Sequence, residues 1–370
     1  MSFTAADHAF MARALQLAAC GLFTTTPNPR VGCVLVKDGH IIGEGWHQKA
    51  GEPHAEIHAL QNIGAGGTAT DPQEMARGAT AYVTLEPCSH HGRTPPCADR
   101  LIKAGVARVV AAMRDPNPLV AGQGLARLAN AGITTDSGLL EAEARELNIG
   151  FISRMTRGRP WVRLKIASSL DGKTALANGA SQWITGPDAR RDGHGWRARS
   201  CAVLTGIGTV KDDNPRLDVR DVATTRQPRP VVVDSRLEIA ADAKLLARQP
   251  LIYTASRDTA RMTELAVRGA EVIVLPNASG KVDLGKMLFD LGSRGINELL
   301  VEAGTKLNGS LLRERCVDEL LLYQAPMLLG DQARGLADLG LLTQLANARQ
   351  LNIIERRVIG ADFFTRARFS

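Results

Sequence analysis

The sequence predicts an α/β protein built from two domains. At about 150 residues per domain, its 370 residues are enough for two domains that each bury a core. Apolar runs of strand length alternate with segments of helical periodicity, which is the pattern of layered α/β folds. With 44% hydrophobic and 22% charged residues, the composition is that of globular proteins and excludes collagen-like, disordered and coiled-coil classes.

In the first half, capping and turn residues mark the elements. Thr4 with Asp7 three residues later forms a capping box, which begins a helix that ends at Gly21. Asp38 and Gly39 tolerate the positive φ values of a tight turn, so residues 31–37 and 40–45 form a β-hairpin. The remaining predictions are helices at 54–63, 98–104 and 139–147 and strands at 79–85 and 107–112.

A polar segment separates the two halves. Residues 151–160 are largely polar and end in Pro160, a helix breaker, so we place the domain boundary after residue 145. The domains are then residues 1–145 and 146–370. In the second, strands are predicted at 162–167, 202–205, 231–234, 251–253, 272–275, 298–302 and 319–324, with helical stretches between several of them.

Location and redox state follow from two further patterns. The chain has no run of 18 apolar residues and no basic-then-apolar start, which disfavours membrane spanning and export and predicts a cytoplasmic protein. Six cysteines are too few for a disulfide scaffold in a chain of this length. Four of them have no ligand partner nearby in sequence and are predicted to be core residues: Cys20, Cys33, Cys201 and Cys316.

Charge and histidine are distributed unequally. Residues 1–145 hold 12 Lys and Arg against 13 Asp and Glu, which leaves 33 against 25 for the rest of the chain. The basic half has no dense Lys/Arg run with interleaved aromatics, so small phosphorylated ligands fit it better than nucleic acid. Seven of the eight histidines precede residue 92. We therefore expect different chemistry in the two halves.

The densest chemical signal is His54-Ala55-Glu56 together with Pro87-Cys88 and Cys97. One imidazole and two thiolates bind zinc and leave a fourth position for water, which is the arrangement of catalytic rather than structural zinc. Glu56 can take a proton from that water and pass it to a leaving amine. The pattern is that of zinc-dependent nucleobase deaminases, except that eight residues separate the two cysteines where the general signature has two.

The spacing leaves alternatives open. Cys88 and Cys97 could be small buried hydrophobes and His54 an ordinary surface histidine. His58 lies one helical turn after His54 and could also be a ligand, as could His90 or His91. We rank His54 first.

The second half carries glycine turns after apolar strands. The runs 206–210 and 301–309 both read as strand, glycine turn and helix, which suits the phosphates of a dinucleotide. Neither run is a G-x-G-x-x-G or Walker motif, so ordinary turn glycines explain them equally well. Residues 165–173, followed by 181–185, place polar groups at a strand end, where open α/β sheets bind ligands.

Taken together, residues 26–34, 51–56, 84–97 and 114–118 resemble the deaminase half of the bifunctional riboflavin-biosynthesis deaminase/reductase. The eight-residue cysteine spacing belongs to that family. The resemblance implies a cytidine-deaminase-like three-layer α/β/α domain with one Zn²⁺ held by His54, Cys88 and Cys97. It also implies that Glu56 is catalytic and that Asn28 binds the pyrimidine with His47 nearby.

The second half resembles the reductase half of the same enzyme, which implies a dihydrofolate-reductase-like α/β domain that uses NADPH. Lys165 and Asp213 are then the polar groups close to the reacting sugar. The implied NADPH contacts are Ala167, Trp183, Thr209, Asp213, Ser235, Gly304, Thr305 and Lys306. The implied substrate contacts are Ser181, Arg197, Leu217, Arg220 and Glu302. Of these, Arg197 and Arg220 can each bind a phosphate through two hydrogen bonds, although a solvated surface arginine explains either residue equally well from the sequence alone.

The implied function is two consecutive steps of riboflavin synthesis on small phosphorylated pyrimidines, carried out by a homodimer or tetramer with no nucleic-acid or membrane partner. The alternative is a zinc-dependent nucleic-acid base deaminase with an accessory binding domain, which the balanced charge of the first half disfavours. A non-catalytic relative would be expected to have lost part of the chemical set, and Glu56, Lys165 and Asp213 are all present.

Overall fold

The computed structural model describes residues 3–64, 72–90 and 95–369. The chain divides into two compact units, Met1–Gly158 and Arg159–Ser370. The sequence analysis placed the boundary after residue 145, so the two divisions differ in a helix at Ile149–Arg157. This helix belongs to the first unit because the Asn148 side chain, directly before it, exchanges two hydrogen bonds of 2.8 and 2.9 Å with the Arg30 backbone.

The first unit is a five-stranded mixed sheet with helices packed on it. Its strands are β1 (Gly32–Lys37), β2 (His40–Trp46), β3 (Thr80–Val83), β4 (Arg108–Ala111) and β5 (Thr134–Ser137). Its helices are α1 (Ala5–Cys20), α2 (Ala55–Gln61), α3 (Pro72–Ala76), α4 (Cys97–Ala104), α5 (Gln123–Asn130), α6 (Glu141–Leu147) and α7 (Ile149–Arg157). In the order β2-β1-β3-β4-β5, the first two pairings are antiparallel and the last two parallel.

Two glycines show that helices cover both faces of this sheet. Gly45 lies opposite Cys33, so Gly32 and Gly45 face opposite sides. A Cβ on Gly32 would lie 2.0 Å from the Ala14 carbonyl oxygen of α1, and a Cβ on Gly45 would lie 2.4 Å from the Ala59 nitrogen of α2. The two helices therefore contact the sheet from opposite sides, and the predicted three-layer α/β/α arrangement is confirmed.

In this unit the capping and turn predictions are confirmed, one core prediction is wrong, and four elements were not predicted: α3, α5, α7 and β5. Thr4 and Asp7 form the predicted capping box, and Asp38 and Gly39 adopt φ values of 51° and 77° in the hairpin turn. Cys20 was wrongly predicted to be a core residue: it is the last residue of α1 and is exposed. The segment that forms α5 and β5 was not predicted: α5 has only eight residues and begins after Gly122 without a side-chain cap, and no residue of β5 is fully buried.

The second unit is a nine-stranded sheet in the order β11-β10-β9-β8-β12-β6-β13-β16-β15, with a small β14-β7 pair. Its strands are β6 (Trp161–Ser169), β7 (Lys173–Ala175), β8 (Ala202–Gly206), β9 (Arg229–Val233), β10 (Leu251–Thr254), β11 (Glu271–Val274), β12 (Glu298–Val301), β13 (Glu319–Ala325), β14 (Arg334–Gly335), β15 (Leu351–Ile359) and β16 (Asp362–Phe369). Its helices are α8 (Pro187–Arg199), α9 (Ile207–Asp213), α10 (Thr259–Val267), α11 (Leu284–Ser293) and α12 (Thr305–Arg313).

The seven strands predicted from sequence all form, and they pair in parallel from β11 through β13. The antiparallel β15–β16 hairpin at the edge was not predicted. β15 is exposed along most of its length and therefore lacks the alternation that marks a half-buried strand. In the described parts of the chain, no helix is long and apolar enough to cross a bilayer.

A buried ion cluster lies at the amino ends of three adjacent strands. Arg163 of β6 is fully buried and donates to both Glu298 of β12 and Glu319 of β13, which are themselves buried. Arg199 also donates to Glu298, at 2.7 Å, and Arg368 to Glu319, at 3.1 Å. The two carboxylates are thus satisfied by long-range partners that no sequence pattern predicts.

We expect Arg163→Leu to lower the free energy of unfolding of the second unit by about 3 kcal/mol, because it leaves two buried carboxylates without their shared cation. Urea unfolding monitored by tryptophan fluorescence measures the change. The matched control is Arg191→Leu, since Arg191 lies exposed on α8 in a long ion pair of 3.8 Å. This control should change stability by no more than about 0.5 kcal/mol, and equal effects of the two variants would contradict the prediction.

Candidate active sites

The predicted zinc ligands meet in the first unit. The Nδ1 atom of His54 lies 3.6 Å from Cys88 Sγ and 3.3 Å from Cys97 Sγ. All the candidate donor atoms of these three residues lie within 4.8 Å of one another. A nitrogen and two sulfurs grouped in this way are the donor set that zinc takes in proteins, so the residues fit the metal.

Two of these ligands stand where helices begin. His54 is the residue immediately before α2, and Cys97 is the first residue of α4. The backbone N–H of Cys97 donates to Cys88 Sγ at 3.2 Å, as is expected where a helix N-terminus faces a sulfur that carries negative charge. Donation from the Cys97 thiol and from His54 lowers the pKa of Cys88 to about 4.

Glu56 lies in the first turn of α2, two residues after His54, and is 3% exposed. Burial raises the pKa of its carboxyl group, and the neighbouring His54 opposes that shift. A carboxyl group with a raised pKa can accept a proton and then release it, which is what a proton shuttle in deamination must do.

Asn28 and His47, which the resemblance placed near the pyrimidine, contact one another. The Asn28 amide nitrogen lies 3.0 Å from His47 Nε2, and His47 Nδ1 lies 3.0 Å from the Pro53 carbonyl oxygen. Because a carbonyl can only accept, the His47 proton is on Nδ1 and Nε2 accepts from Asn28. Burial lowers the pKa of His47, and its ring centroid is 5.3 Å from that of His54.

The other candidate ligands lie outside this group. His58 lines a surface cavity of about 650 Å³ together with Trp46 and Asn62. His90 lies near Asp115, whose pKa is raised chiefly by burial and lowered in part by this histidine. His91 falls outside the described residues. Among residues that the structure does describe, only His54, Cys88 and Cys97 form a group able to hold a metal ion.

In the second unit, predicted ligand contacts follow the carboxyl ends of neighbouring parallel strands. Ala167 lies near the end of β6, Gly206 at the end of β8, Ser235 just after β9, and Glu302 and Gly304 just after β12. Since β9, β8, β12 and β6 are consecutive in the sheet and parallel, these residues share one edge. This edge is where open parallel sheets bind nucleotides.

Lys165, Glu302 and Arg197 form a half-buried cluster at this edge. Arg197 of α8 binds the Glu302 carboxylate through two hydrogen bonds of 2.7 Å and the Asp218 carbonyl through a third of 3.0 Å. Burial opposes charge on Glu302, but Arg197 and Lys165 outweigh it, so its pKa falls to about 2. Burial lowers the pKa of Lys165, Glu302 opposes that shift and Arg197 adds to it.

The two arginines expected to bind a phosphate differ in the protein groups that their guanidinium groups contact. Arg197 uses its guanidinium on Glu302 and Asp218, so it orients the carboxylate. Arg220 is exposed; it pairs with the Asp218 carboxylate at 2.5 Å, and its backbone N–H donates to His194. Burial lowers the pKa of His194, the one histidine in the sequence beyond residue 92.

The glycine turns adjoin one another. Gly206 and Gly304 are the residues immediately before α9 and α12, and a Cβ on Gly304 would lie 3.8 Å from Thr209 Oγ1. A Cβ on Gly208 would meet no atom within 4 Å, so there is open space above this turn. Thr305 donates to the Gly335 carbonyl at 2.7 Å, which fixes the start of α12. These turns fit a dinucleotide.

The remaining predicted residues are spread around this edge. Asp213 is the last residue of α9, and its carboxylate accepts a hydrogen bond from Gln182 at 3.4 Å. Partial desolvation of this carboxyl group and the neighbouring Asp212 raise its pKa. Trp183 is 67% exposed with the Arg190 guanidinium 4.7 Å from its ring centroid. Leu217 is buried with φ of 53°. Ser181 is half-buried, Lys306 is exposed, and Ser235 Oγ accepts from the Val282 N–H at 3.2 Å.

Sequence reasoning missed the side chains that surround Lys165. The Lys165 ammonium nitrogen lies 5.6 Å from the centre of the Tyr323 ring. The Tyr323 hydroxyl donates to Asp192, which also accepts from Arg357 at 2.8 Å. These contacts join β6, β13, α8 and β15, and no local pattern could indicate them.

Comparisons with known proteins agree with this geometry. The model of the cytidine and deoxycytidylate deaminase zinc-binding region matches residues 4–113, and that of the RibD C-terminal domain matches residues 160–364. The chain is 50% identical to riboflavin biosynthesis protein RibD of Escherichia coli K12 over 96% of this chain and 97% of that one. It is 49% identical to RibD of Haemophilus influenzae over 98% and 97% of the two chains.

Two solved structures match 99% of this chain and 99% of their own. One is Acinetobacter baumannii RibD, form 1, with a TM-score of 0.90 and 42% identity. The other is a diaminohydroxyphosphoribosylaminopyrimidine deaminase/5-amino-6-(5-phosphoribosylamino)uracil reductase from Thermotoga maritima, with a TM-score of 0.86 and 34% identity. The predicted fold class is confirmed.

These matches cover both units. The match to the first unit includes the His54, Cys88 and Cys97 group, and the match to the second includes the strand edge with Lys165 and Arg197. The protein is an enzyme with two activities, a zinc-dependent deaminase and an NADPH-dependent reductase. By sequence, fold and site chemistry alike, the chain belongs to the RibD family of riboflavin-biosynthesis proteins.

Proposed function

We propose that the first unit deaminates 2,5-diamino-6-ribosylamino-4(3H)-pyrimidinone 5′-phosphate and that the second reduces the product, 5-amino-6-(5-phosphoribosylamino)uracil, to its ribityl form. The observation that carries the proposal is a buried carboxyl, Glu56, two residues from His54 in the His54, Cys88 and Cys97 group. The name of the Thermotoga maritima relative states these two substrates, which supports the assignment.

In the deaminase, the chain's own residues bind the base and move the proton. When bound, zinc supplies a Lewis acid that lowers the pKa of water. Glu56 accepts the proton that water loses and delivers it to the amino group at C2, which leaves as ammonia while oxygen takes its place. The Asn28 amide N–H donates to His47 Nε2. The Asn28 amide oxygen therefore remains an acceptor for an N–H of the pyrimidine.

In the reductase, the turns at Gly206 and Gly304 would hold NADPH, which would supply the hydride that ribosyl C1 gains as the bond from C1 to the ring oxygen opens. Lys165 gives that oxygen its proton, because an ammonium group whose pKa is lowered releases its proton readily. Glu302, held ionised by Arg197, accepts hydrogen bonds from the sugar hydroxyls. Arg220, the exposed arginine of the pair, binds the phosphate.

Mass spectrometry of the diaminopyrimidinone substrate after incubation with the zinc-loaded protein tests both steps. We expect NH₂ to be replaced by OH without NADPH, and two further hydrogens to be gained only when NADPH is present. An unchanged substrate would overturn the assignment and favour a different base as the deaminase substrate.

We further propose that the protein is a homodimer or tetramer that works in the cytoplasm. The edge strand β15 is exposed along most of its length and carries exposed Leu351, Ile353, Ile354 and Val358. Long apolar edge strands are covered in stable proteins, and a second copy of the chain is the simplest cover. All six cysteines are free thiols, which suits a reducing compartment.

The double substitution Ile353→Lys and Val358→Lys should break such an assembly, because it places charge on the apolar edge that a second copy would cover. We expect the double variant to run as a single chain in light scattering coupled to gel filtration, while the parent runs as a multiple. Val267→Lys is the matched control, since Val267 is 84% exposed on α10. A parent protein with the mass of one chain would disprove the assembly.

A further inference from the structure

The segment that carries Cys88 needs support from outside the sheet. His54 and Cys97 adjoin the starts of α2 and α4, whereas Cys88 lies in a loop five residues beyond the end of β3. Backbone hydrogen bonds tie Thr84 to Gly32 at 3.0 Å and Glu86 to Met113 at 2.9 Å. Beyond Glu86, the Cys88 carbonyl accepts a backbone hydrogen bond from Ala98 in the first turn of α4, at 3.2 Å, and the other contacts that hold this loop involve side chains.

Glu86 provides the most extensive of these side-chain contacts. Its carboxylate is 5% exposed and accepts four backbone N–H groups. The Oε1 atom accepts from Gly124 at 2.8 Å and Leu125 at 3.2 Å, and Oε2 accepts from Gly122 at 2.8 Å and Asp115 at 3.1 Å. Three of these donors belong to the start of α5, where a carboxylate also meets the positive end of the helix dipole.

Helix α5 also contacts the residues on either side of Cys88. A Cβ on Gly124 would lie 1.9 Å from the Pro87 carbonyl oxygen, so only glycine allows the loop to lie this close. On the other side of Cys88, Arg127 of α5 donates to the Ser89 carbonyl at 3.3 Å, and it also binds Asp99 of α4 at 2.9 Å. The start of α5 therefore holds the loop before, beside and after the ligand.

We propose that Glu86 is a positioning residue of the zinc site, which sets the affinity for zinc by fastening the Cys88 loop to α5. The inference rests on the proposed ligand set of His54, Cys88 and Cys97. Groups that orient metal ligands from behind change metal affinity by about 10- to 100-fold when they are removed.

Glu86→Gln tests the inference in the full-length protein. Each carboxylate oxygen of Glu86 accepts from two backbone N–H groups, and the amide nitrogen of glutamine cannot accept. Two of the four hydrogen bonds are therefore lost whichever way the amide turns. We expect the dissociation constant for zinc, measured by competition with a chromophoric chelator, to rise about 10- to 100-fold. Cobalt substitution should show an altered thiolate-to-metal absorption band, a change that simple destabilisation of the fold would not cause.

The matched control is Glu141→Gln, the same substitution elsewhere in the first unit. Glu141 lies in the first turn of α6, and its side chain pairs with Arg145 at the surface. Its zinc affinity should equal that of the parent. NADPH-dependent reduction of the deaminated substrate should be unchanged in both variants, because both changes lie in the first unit. Thermal unfolding followed by circular dichroism shows whether the first unit of each variant is folded.

A second variant covers the case in which Glu86→Gln does not fold. Gly124→Ala places a Cβ against the Pro87 carbonyl and should weaken zinc binding at least 10-fold. Zinc affinity within threefold of the parent in Glu86→Gln, or in Gly124→Ala if only that variant folds, would overturn the inference alone. A parent that binds zinc no better than its His54→Ala variant would overturn the proposed ligand set and this inference with it.

Discussion

Glu56→Gln is expected to lower the rate of deamination by about 10²- to 10⁴-fold, the usual contribution of a positioned proton shuttle. The amide keeps the shape of the side chain, and Glu56 is not one of the three grouped metal donors, so the zinc content should remain that of the parent. Ammonia release from the diaminopyrimidinone substrate, measured without NADPH, gives the rate, and metal analysis of the same sample gives the zinc content.

The same Glu56→Gln sample contains its own control. Reduction of the already deaminated substrate with NADPH should proceed at the parent rate, because the change lies in the first unit. Glu52→Gln is a matched variant four residues earlier, at an exposed position before α2, and should deaminate normally. Deamination by Glu56→Gln at more than a tenth of the parent rate would show that another group moves the proton.

Lys165→Met is expected to abolish most of the reductase activity, with a fall in kcat of about 10²- to 10⁴-fold. Methionine keeps an unbranched chain in the space beside Tyr323 and removes only the ammonium group. Because the proposed role is to donate a proton to the sugar, the dissociation constant for NADPH should not change. Loss of NADPH absorbance with the deaminated substrate gives kcat, and fluorescence titration gives the binding constant.

The pH profile of the parent provides an independent check on Lys165. The protonated amine is the working form, and burial lowers its pKa, so reductase activity should decline on the alkaline side at a pH below the ordinary range of lysine. Lys286→Met, at an exposed position on α11, serves as the matched control and should keep both kcat and the pH profile. A Lys165→Met enzyme with the parent's kcat would rule out lysine as the proton donor.

The sequence predicts what depends on neighbours along the chain. The α/β class, the Asp38 turn and the strands β6 and β8–β13 follow from periodicity and turn chemistry. His54, Cys88 and Cys97 were candidates because of their donor types, and the resemblance decided between them and the alternatives. Asn28 and His47 were assigned only through the resemblance, because nothing local to either residue indicates that they hydrogen-bond to one another.

The remaining parts of the sites depend on contacts between distant segments. Tyr323 with Asp192 and Arg163 with Glu319 pair across more than a hundred residues. Arg197 was expected to bind phosphate, but a carboxylate 105 residues away holds its guanidinium. The short helix α5, which begins after Gly122 without a side-chain cap, and the exposed strand β15 were not predicted. Partners of this kind are set by the tertiary fold and are not visible in a single sequence.

Strand β6 places Arg163 and Lys165 on the same face, under α8, only two residues apart. Arg163 belongs to the buried ion cluster at the amino ends of β6, β12 and β13, and Lys165 belongs to the proposed reductase site. Substitutions at these two positions of β6 should therefore have different effects, although the positions are only two residues apart. Variants at Arg163 would reduce the amount of protein that accumulates in the cell, whereas variants at Lys165 would accumulate normally and fail to reduce the substrate.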